Sequence, residues 1–189
     1  MFLMYADEAD QDGSKEFLVY AAVFIPADKA LRIHLEIDKL RTESGFSPTD
    51  TLKFSSGTKP KDITREAHTD IKNKVLDLAV DSGCKTCCYV VPYAIAKGQP
   101  LENRLKFGIN TILAKFDQFL RESGNAAGLA HFDRTEDFKQ SKYFREVFEL
   151  GLEWPDGKRK KFQNIVGINQ ASNGLSHLCS LCDIVVGAY

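Results

Sequence analysis

The sequence predicts a mixed α/β domain, a sheet that opens with an antiparallel hairpin and is then covered by helices. Two apolar runs, Phe2 to Ala6 and Phe17 to Ile25, flank an acidic stretch containing Asp12-Gly13, which is reversing-turn chemistry. Beyond them, stretches with apolar residues at steps of three and four alternate with short β-rich runs. No repeat, linker or low-complexity segment interrupts the 189 residues, a length that closes one sizeable core, so a single domain over 1–189 is expected.

Pro26 stops the second apolar run. From Asp28, a suitable N-cap, Leu31, Leu35 and Leu40 space out a helix that Gly45 ends. Thr51 to Ser55 reads as a short strand. After Pro60, Ile63, Ala67, Ile71, Val75, Leu78 and Ala79 mark one helical stripe up to Gly83. Cys87 to Ile95 is β-rich. Leu101 to Leu120 is amphipathic through Leu105, Ile109, Ile112, Leu113 and Phe116, and Gly124 closes it. Gly128 to Asp133 reads as a strand and Phe138 to Leu150 as a helix. Phe162 to Ile168 forms a further strand beyond the turn Trp154-Pro155-Asp156-Gly157. A last helix runs from about Leu175 to the end.

Composition narrows the function classes. With 43% hydrophobic, 27% charged and 11% aromatic residues the chain is ordinary globular protein. Its 25 Lys plus Arg against 26 Asp plus Glu leave a net charge of -1, so polyanion binding must come from local patches. The first residues lack a basic leader and reach Asp7-Glu8 at once, which predicts neither a signal peptide nor a membrane span and no membrane partner. The odd count of 5 Cys fits reduced thiols and a cytoplasmic location.

Three carboxylates end or interrupt apolar elements: Asp7 closes the first strand, Asp133 closes Gly-Leu-Ala-His-Phe-Asp, and Asp183 sits inside the last helix. On a helical wheel Leu175, Leu178, Cys179, Cys182, Val186 and Tyr189 form one stripe. Asp183 flanks it beside Ser176, Ser180 and Gly187, small neighbours that permit close approach to a sheet. Several carboxylates at one point suit hard divalent cations, because Mg²⁺ or Mn²⁺ takes oxygen ligands and a paired site clamps both oxygens of an in-line phosphoryl displacement. Structural readings stand beside this one. Asp10 and Asp12 read as solvated turn formers, Asp133 also suits a cap for the residues after it, and Asp183 also suits a bond to neighbouring backbone.

Other motifs fail on counting. Glu8-x-Asp10-x-Asp12-Gly13 imitates a calcium loop, but its twelfth position is Val19 and an apolar strand follows. Receiver domains feed their acidic pair into a helix, and here a hairpin follows. No Walker loop, Gly-x-Gly-x-x-Gly or Gly-x-Ser-x-Gly occurs, which removes NTPases, dinucleotide oxidoreductases and α/β-hydrolases. Cys84-x-x-Cys87-Cys88 and Cys179-x-x-Cys182 number enough thiols for zinc, but one pair enters a strand and the other lies in an apolar helical stripe. His131 shares a strand face with Asp133 and suits either a structural role or the orientation of a ligand or water. Lys158-Arg159-Lys160-Lys161 is the strongest basic run, a solvated turn or a phosphate contact.

Tyr5-Ala-Asp7-Glu8-Ala-Asp10 after a short strand, Phe-Asp133-Arg134 at a strand end, and Ser172 followed by Asp183-Ile-Val-Val-Gly occur in an order that resembles domain-of-unknown-function family 3800. The resemblance spans nearly the whole chain and implies a ribonuclease-H-like sheet, with acids at the ends of adjacent strands and one on a packed helix. It maps Asp7 and Glu8 to the opening acidic motif, Asp133 to the middle acid, Ser172 to the closing serine and Asp183 to the helix acid. The sequence departs from the pattern at Ala9 in place of a serine, at Ser180 in place of a glutamine, and before Lys53, where Thr51 and Leu52 stand and Asp50 is the nearest acid.

Two functions follow as expectations. The first is a metal-dependent nuclease in which Asp7, Asp133 and Asp183 bind Mg²⁺ or Mn²⁺, Glu8 is a further ligand or supports one, and His131, Lys53 and Ser172 assist on a DNA or RNA substrate. The alternative is a non-catalytic module binding nucleic acid or protein on the same fold.

Overall fold

The computed structural model describes residues 1–9, 16–133, 138–154, 157–172 and 174–188. Strand β1 (Phe2–Ala9) turns back through β2 (Phe17–Pro26), and helices α1 (Ala30–Glu43) and α2 (Arg65–Asp81) follow. Next come β3 (Lys85–Pro92), the single turn α3 (Tyr93–Ala96), the long α4 (Leu101–Glu122), and β4 (Gly128–Asp133). Helix α5 (Phe138–Leu150), a small hairpin of β5 (Leu152–Glu153) and β6 (Arg159–Lys160), β7 (Ile165–Ala171) and α6 (His177–Gly187) complete the chain.

The main sheet has the order β3-β2-β1-β4-β7. β1 pairs antiparallel with β2, and β2 antiparallel with β3. β4 runs parallel to β1 and β7 parallel to β4, so the carboxyl ends of β1, β4 and β7 meet on one edge. Both faces are covered. Tyr5, Val19, Ala21, Val23 and Ile25 pack under α1, α2 and α6, while Met4, Ala6, Leu18, Tyr20 and Phe24 pack under α4 and α5. Coverage on both sides explains why β2 reads as a continuous apolar run rather than an alternating one. Among the described residues no helix is long and apolar enough to cross a membrane.

The mixed sheet, its opening hairpin and its covering helices match the expected fold class, and β4 and α5 have the expected bounds. Other elements differ for identifiable reasons. A 3₁₀ turn over Ala27–Lys29 precedes α1, which starts without a side-chain cap, so Asp28 does not cap it. Leu31 and Leu35 are 68% and 55% exposed, because the face against the core is formed by Ile33, Ile37 and Arg41. Thr51 to Ser55 is not a strand, since it has no ladder partner. In α2, His68 takes the buried position expected of Ala67, and Thr64 caps the helix by accepting from the Ala67 N–H at 3.1 Å.

β3 begins at Lys85 and stops at Pro92, ahead of Ile95. β7 starts three residues after Phe162 because the buried Asp117 carboxylate accepts the N–H groups of Gln163 and Asn164, both at 3.0 Å. Leu175 is 83% exposed and lies outside α6, which Ser176 caps by accepting from the Leu178 N–H at 3.2 Å. That helix is buried almost all round rather than along one stripe. The Gly157 N–H reaches the Trp154 carbonyl at 2.8 Å, with Gly157 at φ +76°, and the expected turn residues Pro155 and Asp156 lie outside the described residues. The expected turn residues Asp10 and Asp12, together with Arg134 and Tyr189, lie outside the described residues.

Candidate functional site

Parallel pairing sets the site. The register runs from Phe2 opposite Gly128 to Ala6 opposite Phe132, so Asp7 and Asp133 follow at the ends of neighbouring strands. Period-two alternation places both on the face that Tyr5 and Leu3 share, which is the face α6 covers. Asp133 also pairs with Ala171, which puts Ser172, the next residue, on the same edge. Ser172 itself holds the entry to α6, its carbonyl accepting from the Leu175 N–H at 2.9 Å.

The fields of these groups reach one another. Burial pushes the Asp7 carboxyl up to about 6, against the bond its Oδ1 accepts from the Glu8 N–H at 2.8 Å. The charges of Asp133 and Asp183 raise it further and that of Lys53 lowers it. Burial and then the charges of Asp7 and Asp133 push Glu8 up to about 7. Alternation along β1 carries Glu8 to the opposite sheet face from Asp7, so it shares the edge without sharing the α6 side.

A narrow crevice lies between the strand ends and α6, walled by Tyr5, Asp7, His131, Asp133, Cys179 and Cys182. His131 stacks on the Tyr5 ring at 4.7 Å and 15°, and burial lowers its pKa, which favours the neutral imidazole. Burial raises Cys179 to about 11 and Cys182 well above the ordinary thiol value, so both remain thiols. Cys182 donates to the Tyr5 carbonyl at 3.1 Å. Cys87 and Cys88 face different cores, as neighbours in a strand must, and among the described residues no disulfide joins any cysteine.

Asp183 enters from α6. Its Oδ2 accepts from the Phe54 N–H at 2.6 Å, which fastens the irregular segment 51–55 beside the edge. The Phe54 ring lies where a Cβ on Gly187 would stand, and Lys72 reaches both the Phe54 carbonyl at 3.2 Å and its ring face at 4.3 Å. The expected backbone bond of Asp183 and its closeness to the other acids therefore coexist. Asp50, the nearest acid ahead of Lys53, is committed elsewhere: its Oδ2 accepts from the Ser47 N–H at 2.7 Å.

The structure thus brings Asp7 and Asp133 to one face of the sheet edge, sets Asp183 and Lys53 within electrostatic reach of Asp7, adds Glu8 and Ser172 along the same edge, and lines the crevice with His131. Among the described residues no three His, Cys, Asp or Glu side chains converge tightly enough to hold an ion as they stand. Sequence reasoning missed Tyr5 and Phe54. Tyr5 was legible as two residues before Asp7 on the same strand face, whereas Phe54 carried no signal, because its role lies in its backbone N–H.

Solved structures of similar fold include a chain of the PCNA:RNase HII complex from Archaeoglobus fulgidus, with a TM-score of 0.53 and 13% identity over 100% of this chain and 72% of that one. Another is Bst-RNase HIII in complex with Mn²⁺, with a TM-score of 0.53 and 12% identity over 98% of this chain. The chain spans about half of that RNase HIII, 50% of its length. At these identities the likeness is one of fold, and the fold is ribonuclease-H-like. No family model and no curated protein matches the sequence.

Proposed function

We propose that this chain is a divalent-metal-dependent nuclease that hydrolyses phosphodiester bonds in DNA or RNA with Mg²⁺ or Mn²⁺. The observation that carries the reading is the position of Asp7 and Asp133 at the ends of neighbouring parallel strands, with Asp183 close enough from α6 to raise the Asp7 carboxyl. In open α/β sheets ligands bind outside the carboxyl ends of the strands, and those of β1 and β4 lie side by side here.

The donors suit a hard cation. They are oxygens only, the adjacent Cys179 and Cys182 are held as thiols, and the raised Asp7 and Glu8 carboxyls mark a site short of positive charge. Asp7, Asp133 and Asp183 would hold the ion, with Glu8 at its border. When bound, the ion polarises a phosphoryl oxygen and acidifies a water. Lys53 supplies a fixed cation beside Asp7 for the phosphate, and neutral His131 offers a ring nitrogen that can accept a proton from water. Ser172 at the strand edge offers a hydroxyl to the phosphate backbone. Membership of domain-of-unknown-function family 3800 and a cytoplasmic location belong to the same proposal, supported by the order of the acidic motifs and by the odd count of 5 cysteines.

One observation favours a second reading, a binding module without catalysis: Asp183 already accepts from the Phe54 N–H, and no three donors converge among the described residues. Thermal unfolding of wild type and Asp133→Asn in EDTA and then in millimolar Mn²⁺ separates the two. The nuclease reading expects a rise in the wild type alone, about 2.7 kcal/mol at a hundredfold excess over Kd, followed by Mn²⁺-dependent cleavage. No response in the wild type overturns it and leaves the binding module.

A further inference from the structure

At the opposite end of the sheet, the β5–β6 hairpin pairs Leu152 with Lys160 and Glu153 with Arg159. Alternation sends these two pairs to opposite faces. On one face Arg159 is neutralised, bonding Glu146 at 2.6 Å and Glu153 at 3.2 Å. On the other, Lys160 joins Lys115, Arg121 and Lys161 around a shallow groove. The acid in its wall is Asp117, which is buried and committed to the N–H groups of Gln163 and Asn164 and to Arg121 at 3.6 Å. The groove is therefore locally cationic in a chain whose net charge is -1. Trp154, 49% exposed, stands between this groove and a neighbouring open cleft, lining both.

We propose that this groove is a subsite for single-stranded nucleic acid, with Lys115, Arg121, Lys160 and Lys161 on backbone phosphates and the Trp154 indole stacked on an unpaired base. The cations alone suit any polyanion, and the exposed indole beside them selects one that carries π-faces. A duplex keeps those faces stacked inside, so a single strand fits. β7 runs from beside the hairpin to Ala171 opposite Asp133, which places the subsite about 20 Å from the carboxylate edge at about 3.3 Å per residue. The proposal goes beyond the nuclease reading and holds for either function proposed above.

Trp154 is the only tryptophan in the sequence, so its emission reports on the groove directly. The experiment titrates the whole protein in EDTA with oligothymidylate, oligouridylate and, as a base-free polyanion, inorganic polyphosphate. Both oligonucleotides are expected to quench Trp154, with affinity falling as salt rises. Lys160→Gln with Lys161→Gln, both exposed positions, flattens that salt dependence and weakens binding about tenfold. Trp154→Ala, followed by the anisotropy of a labelled oligonucleotide, weakens oligonucleotide binding about tenfold and leaves polyphosphate binding unchanged, while Trp154→Phe keeps most of the affinity. Three results overturn the subsite: no quenching at millimolar oligonucleotide, polyphosphate that quenches and competes equally well, or oligonucleotide binding indifferent to these variants. Because EDTA excludes any metal, failure here is distinct from failure of the carboxylate site.

Discussion

Replacing Asp7 by Asn stabilises the metal-free protein at neutral pH, because the wild-type carboxylate is ionised there against its surroundings. The folded state raises its pKa from 3.8 to about 6, chiefly by burial. A group that binds its proton more tightly when folded contributes stability that is full below the unfolded value and lost as pH rises through the folded one. The fall therefore spans about pH 4 to 6 for Asp7, and Glu8, raised from 4.5 to about 7, extends it upward. About two pH units at 1.36 kcal/mol each is roughly 3 kcal/mol, and sharing of the repulsion with Glu8 and Asp133 reduces the expected gain to about 2 kcal/mol. Asn keeps an oxygen to accept from the Glu8 N–H, so the substitution removes charge without orphaning a donor. Thermal unfolding in EDTA should give Asp7→Asn a Tm about 4–8 °C above wild type at pH 8, with the difference vanishing near pH 4. In millimolar Mn²⁺ the order should reverse, since only the wild type gains from the ion. An Asp7→Asn protein no more stable than wild type at pH 8 in EDTA would refute the reasoning, for it would mean that the carboxylate is not electrostatically frustrated.

Three further outcomes test the packing that holds the site. Gly187→Ala sets a Cβ into the Phe54 ring and should cost about 1–3 kcal/mol in urea unfolding; a neutral result would mean that segment 51–55 is not pinned on α6. Asp117→Ala leaves the Gln163 and Asn164 N–H groups without their acceptor and should cost about 3 kcal/mol, whereas a loss under 1 kcal/mol would remove the account of where β7 begins. Ile37→Ala should lose about 2–5 kcal/mol and Leu35→Ala almost nothing by the same assay; equal losses would contradict the orientation assigned to α1.

Legibility in the sequence followed the range of the forces involved. The hairpin, β4, α4 and α5 are local patterns of period and turn, and Asp7 and Asp133 are conspicuous because charge ends an apolar strand. Helix α1 offers two candidate stripes, Leu31 with Leu35 and Ile33 with Ile37. The choice depends on Arg41, whose guanidinium is buried by bonds to the Ser47 and Asp50 carbonyls and by the Phe46 ring, a set no spacing rule encodes. The start of β7 was obscured in the same way by a carboxylate from α4, and the segment 51–55 by a backbone N–H given to Asp183. Alternation alone indicates that Glu8 leaves the face of Asp7, a point that the adjacency of the two letters conceals.

The acidic edge draws Asp7, Asp133 and Asp183 from the beginning, middle and last helix of the sequence, and α6 lies directly over β1 and β2. During synthesis α1 and α2 are available to cover part of the face that bears Tyr5 and Ile25, but its α6 cover is missing until residues 177–187 are available. The three acids share that edge only once Asp183 has been made. A chain interrupted before α6 holds Asp7 and Asp133 without Asp183 and lacks part of the cover of that sheet face, so chemistry that needs all three acids waits for this helix.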